Sequence, residues 1–127
     1  LLDMVNGDYD ERFNYAAQLA VQFSQNRGLV QEKLDLWLIW WRDLLLVKIG
    51  LNEDITNVDR LDTLIDMAKD YSLAQIRAFI NSILLAEQEL GQNASPRLVL
   101  EVLMLNIPVV VGRERENASA QSEVKYG

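Results

Sequence analysis

The chain has 127 residues, half of them hydrophobic, with 12 Lys and Arg against 19 Asp and Glu for a net charge of −7, and it contains neither Cys nor His. A chain of this length can bury a core unaided, and the missing residue types exclude disulfides, thiolate nucleophiles, soft-ligand zinc sites and the usual neutral-pH general base. The acidic balance repels phosphate backbones, which proteins hold through Lys and Arg that displace counterions, so direct nucleic-acid binding is not expected.

Apolar residues recur at spacings of three and four and no strand-like alternation occurs, so the expected fold class is all-α, a compact bundle of about five helices over residues 1–111. The chain opens on Leu1-Leu-Asp-Met4 rather than on an initiator methionine, which reads as a piece of a longer polypeptide. A first helix is predicted from about Asp8 to Asn26, with Tyr9, Phe13, Ala16, Ala20 and Phe23 on one stripe and Arg27-Gly28 as its terminator, because glycine can take the left-handed conformation that closes a helix. A second is predicted from about Leu29 to Ile49, stopping at Gly50. After a polar loop from Leu51 to Thr56, Asn57 is expected to cap a third helix carrying Val58, Leu61, Leu64, Ile65 and Ala68. Ser72 is expected to cap a fourth, with Leu73, Ile76, Ile80, Ile83 and Leu90 inward. Ser95 followed by Pro96 opens the fifth, since a side-chain oxygen can accept an orphan amide and proline loses nothing at the first helical position. Pro108 limits that helix. From Gly112 to Gly127 almost nothing can be buried, so a disordered polar tail is expected.

The longest unbroken apolar run, Leu36 to Trp41, is far short of the ~20 residues a membrane-spanning helix needs. A soluble cytoplasmic protein is expected, and the sequons at Asn93 and Asn117 read as chance matches. Carboxylates at Glu53-Asp54 and at Asp8, Asp10 and Glu11 lack the glycine-punctuated spacing of a calcium loop and read as solvated surface. No phosphate-binding loop, triad order or nucleophile elbow is present. Neither a cofactor, a metal nor a small-molecule substrate is expected, and the chain is expected not to be an enzyme.

The second and fifth helices carry the remaining signal. At 100° per residue, Leu34, Trp37, Leu38, Trp41, Leu44 and Leu45 share one broad face of the second helix, extended by Leu36, Trp40 and Val47, while Asp35, Arg42 and Asp43 define the polar side. Ile39 and Leu46 point into that polar side, as apolar residues do on a helix whose outer surface meets another protein. A central helix of a small bundle accounts for most of these residues and confines the interface reading to Ile39, Leu46 and Trp40. In the fifth helix only Arg97, Glu101 and Asn106 are polar. Arg97 and Glu101 stand one turn apart; the default expectation is that they pair, for about 0.2–0.5 kcal/mol on an exposed face, and the alternative is that Glu101 reaches a backbone or Arg donor elsewhere in a packed assembly.

Trp41-Arg-Asp-Leu-Leu-Leu-Val-Lys-Ile-Gly50, then Ile55-Thr-Asn-Val-Asp59, then Asn93-Ala-Ser-Pro-Arg-Leu-Val-Leu-Glu101 together resemble the C-terminal domain of the delta-prime subunit of bacterial DNA polymerase III, a clamp-loader collar domain, with the gamma/tau collar domain as the nearest alternative assignment. The resemblance spans about Phe13 to Ile107 and rests on helix-packing residues. It implies a non-catalytic oligomerisation domain that holds clamp-loader subunits in a ring, with the gamma/tau and delta collar domains as partners, and with nucleotide- and zinc-binding modules upstream of Leu1. On this reading Ile39, Trp40 and Leu46 would provide affinity, while Arg42, Asp43, Arg97 and Glu101 would set orientation. The competing class is a free-standing helical adaptor that binds a partner helix outside replication.

Overall fold

A computed structural model describes Met4 and residues 7–109. It contains five α-helices: α1 (Tyr9–Gln25), α2 (Arg27–Lys48), α3 (Leu61–Ala68), α4 (Leu73–Leu90) and α5 (Pro96–Leu105). Two short 3₁₀ turns, Asn52–Asp54 and Val58–Arg60, lie between α2 and α3, and no strand occurs among the described residues. The expected tail at 112–127 lies outside them, as does the sequon at Asn117.

Local chemistry accounts for where most helices begin. The Asp8 side chain accepts from the Glu11 N–H, 2.8 Å, at the start of α1. Ser72 and Gln75 close a capping box on α4, with Gln75 N–H donating to Ser72 Oγ and Ser72 N–H to Gln75 Oε1. Ser95 accepts from Leu98 N–H at the start of α5, and Pro96 fills the first helical position. Gly50, at φ +88°, supplies the left-handed turn that ends α2.

Two expected boundaries are corrected. Gly28 does not end α1; it lies inside α2, and the break falls at Asn26, whose extended backbone (φ −151°, ψ 93°) stops one helix while its side chain caps the next through Leu29 N–H. The Asn26 N–H still reaches Gln22 O at 2.7 Å, so one residue satisfies groups of both helices. Asn57 makes no side-chain cap on the turn that follows it. Its amide is taken by Asp43 instead.

Helix α2 is the centre of the bundle, packed against α1, α3 and α4, while α5 lies against α1 and α4. Trp37, Trp41, Phe79 and Tyr71 are buried where α2 meets α4 and the residue preceding its cap. Phe79 receives both indoles nearly edge-on, with centroids 4.9 Å from Trp37 and 4.7 Å from Trp41, in the geometry aromatic quadrupoles favour. Trp41 also lies 5.3 Å from Tyr71.

Several expected core positions shift by a residue. The buried side of α1 is Arg12, Ala16, Leu19 and Phe23, while Tyr9 and Phe13 are exposed. Arg12 tolerates burial because its Nε donates to the Met4 carbonyl at 3.1 Å. Val58, Leu73 and Leu36 are exposed, and Phe79, absent from the expected inward set of α4, is fully enclosed.

Between α2 and α4, burial pushes the Glu87 carboxyl up from its ordinary 4.5 to about 7, aided by hydrogen bonding with Asp35 and by the charge of that residue. From pH 4.5 to 7 the folded state therefore holds a proton that the unfolded state releases, so stability falls as pH rises through that window. Glu87→Gln is expected to remove this loss. Chemical denaturation at about pH 5 and about pH 8 should show a gain on the order of 1 kcal/mol confined to the higher pH, the shift being discounted for solvent screening of a partly exposed pair.

Candidate partner interface

The seven residues singled out from the sequence fall into three environments. Trp40 and Asp43 lie inside the fold. Trp40 is covered by the Arg60 guanidinium, 5.5 Å from its ring centroid, and its Nε1 donates to Met67 Sδ at 3.4 Å. Asp43, placed on the polar side by the helical wheel, is only 2 % exposed. Its Oδ1 accepts from Thr56 N–H, and its Oδ2 from both Asn57 N–H and Asn57 Nδ2, at 2.7–2.9 Å. The carboxylate thus pins the loop after Gly50 to α2, a charge-assisted clamp that periodicity alone cannot reveal because its partners lie 13 and 14 residues away.

Ile39, Arg42 and Leu46 share the outward side of α2. With Asp43, Asp54 and Thr56 they line a hollow of about 110 Å³ between the helix and the clamped loop. Ile39 and Leu46 are half-buried there, and Arg42 is exposed. The structure thus gathers Ile39, Arg42, Asp43 and Leu46 at one place, where the apolar side chains of Ile39 and Leu46 share a lining with the charged side chains of Arg42 and Asp54.

Arg97 and Glu101 are on α5, away from this hollow, and form the expected pair at 3.0 Å. They flank a feature absent from the candidate set. Val99, Leu100, Leu103 and Met104 face the core, which turns Leu98, Val102 and Leu105 directly outward, 60, 48 and 46 % exposed. Positions i, i+4 and i+7 form one stripe. The signal is present in the sequence, since a ten-residue helix with so few polar positions cannot bury its whole circumference against two neighbours.

Exposing three aliphatic side chains in a row leaves apolar area in water that a complementary surface would remove, at about 25 cal/mol per Å². The stripe has an apolar centre and a polar rim of Arg97, Glu101 and Asn106, the anatomy of a protein-binding patch. Among the described residues no helix is long and apolar enough to cross a membrane, and no group of three or more His, Cys, Asp or Glu is placed to hold a metal ion.

A family model described as DNA polymerase III, delta subunit, C terminal, matches residues 10–108. Neither the comparison with curated proteins nor that with solved structures finds a match.

Proposed function

Because the chain belongs to the family formed by the C-terminal domains of DNA polymerase III delta subunits, a non-catalytic clamp-loader domain with a role in clamp-loader assembly, we propose that it is the collar domain of a delta-prime subunit. In this role it holds neighbouring subunits in a ring during sliding-clamp loading in the bacterial cytoplasm. Its partners are the gamma/tau and delta collar domains, and it needs no cofactor and touches no nucleic acid itself. The observation that carries this reading is the outward stripe Leu98, Val102 and Leu105, set on a short helix whose opposite face is committed to the core.

The delta-prime position rests on the resemblance of the Trp41–Gly50, Ile55–Asp59 and Asn93–Glu101 segments. The net charge of −7 supports a protein-contacting role over a DNA-contacting one. Affinity comes from the stripe, and orientation from the Arg97–Glu101 pair at its rim.

The test pairs Leu98→Asp with Leu105→Asp in the full-length protein, followed by co-purification and sizing with gamma/tau and delta subunits. Both side chains already face solvent, so helicity by circular dichroism should be unchanged. Two charges in the centre of a desolvated patch should weaken association at least about 100-fold. Unchanged assembly of the double variant would remove α5 from the interface, and failure of the unaltered protein to join any of these subunits would overturn the collar reading itself.

A further inference from the structure

We propose that the hollow beside α2 is a socket for a helix of a neighbouring subunit, one that presents a single aliphatic side chain between a carboxylate and a cation. This rests on the assembly reading above but concerns a different surface from α5. The hollow is small, about 110 Å³, and its lining includes the half-buried side chains of Ile39 and Leu46. One aliphatic side chain entering it would expel water from apolar surface on both partners.

The charges in its lining specify what must flank that side chain. Among the described residues every Lys and Arg except Arg42 and Arg77 meets an oxygen or an aromatic ring of this chain. Arg42 stays free in a chain with a net charge of −7, so a shortage of carboxylates is not the reason. Asp54 lines the same hollow, yet the two form no ion pair with each other. A lining that joins two apolar side chains to two opposite charges not paired with each other is complementary to a helix face carrying carboxylate, aliphatic and cation one turn apart. The carboxylate would meet the planar guanidinium of Arg42 through two parallel hydrogen bonds, and the cation would meet Asp54.

The order of the charges also selects direction. Helix α2 contributes the cation and the loop the carboxylate, and the Asp43 clamp on Thr56 and Asn57 ties that loop to the helix. A partner helix entering in reverse would set like charges together and be rejected.

The experiment measures affinity of the full-length protein for gamma/tau and delta subunits, at low and high salt, for Arg42→Glu, Asp54→Lys and the exchange variant Arg42→Asp/Asp54→Arg. Both side chains are exposed, so circular dichroism and thermal unfolding should match the unaltered protein. Each single variant should weaken association by about tenfold or more, with a reduced salt dependence. The exchange variant keeps the net charge but swaps which charge stands on the helix and which on the loop, so it should bind no better than the single variants.

Exchange-variant affinity equal to that of the unaltered protein would assign any single-variant effect to bulk charge and overturn the socket. Single variants that bind normally would overturn it as well. Because the Leu98→Asp/Leu105→Asp variant reports on α5 independently, loss there with normal binding by the Arg42 and Asp54 variants would refute the socket and leave the collar reading standing.

Discussion

Asp43→Ala is expected to lower the stability of the domain by about 2–3 kcal/mol, a large share of the roughly 5–15 kcal/mol by which folded domains are stable. Asp43 is enclosed and accepts three N–H groups. Truncation removes three charge-assisted bonds at once and leaves the amides of Thr56 and Asn57 to find water. Asp43→Asn should not rescue the loss. Both carboxylate oxygens accept hydrogen, so whichever way an amide is turned, its NH₂ confronts at least one N–H donor. The loop after Gly50 should then exchange its amide hydrogens faster than the α2 and α4 helices, and the hollow lined by Ile39 and Leu46 should lose its loop wall. Urea midpoints for Asp43→Ala and Asp43→Asn within experimental error of the unaltered protein would show that the clamp is not energetically significant.

The largest effect on folding is expected from Trp41→Ala, at about 3–5 kcal/mol. Trp41 is fully buried and is shared between Phe79 and Tyr71, so its removal opens a void at the junction of α2 and α4 that the helices cannot close without losing their other contacts. Trp41→Phe should lose much less. Its indole N–H is buried without an acceptor, and phenylalanine removes that unsatisfied donor while keeping an aromatic face. Equal destabilisation by the two substitutions would mean that indole shape, rather than apolar volume, fixes the site. The Trp37–Phe79 contact is the neighbour that would couple to either change, and a Trp41→Ala/Phe79→Ala pair should be less than additive.

The helix inventory is legible because capping is short-range chemistry. Ser72, Ser95 with Pro96, and Gly50 each act within a turn of where they stand, and each does what its residue type implies. Asn26 is hidden by the Gly28 that follows it. Both are punctuation residues, and only the chain path determines that asparagine ends α1 and caps α2. Asn57 looks like a cap and is not one for the complementary reason: its side chain is claimed by Asp43, a long-range competitor that no local window contains. The helical wheel fails at the same place, setting Asp43 outward because aspartate is polar, although a carboxylate with three donors is at home inside.

The excess of apolar surface is readable, but its location only partly so. On α2, Ile39 and Leu46 are half-buried beside the clamped loop, and Trp40 is hidden by Met67 and Arg60. On α5 the excess remains in the open, at Leu98, Val102 and Leu105. Periodicity counts apolar residues around a helix, whereas their exposure depends on which neighbours arrive, and α5 has neighbours on one side only.

The most direct test of the assembly reading is side-chain hydroxyl-radical footprinting of the full-length protein, alone and assembled with gamma/tau and delta subunits. Leu98, Val102 and Leu105 should be oxidised readily in the free protein and become protected on assembly, while Val58, exposed and far along the chain from α5, keeps its reactivity. Unchanged oxidation of all three α5 residues in a complex verified by sizing would contradict the account.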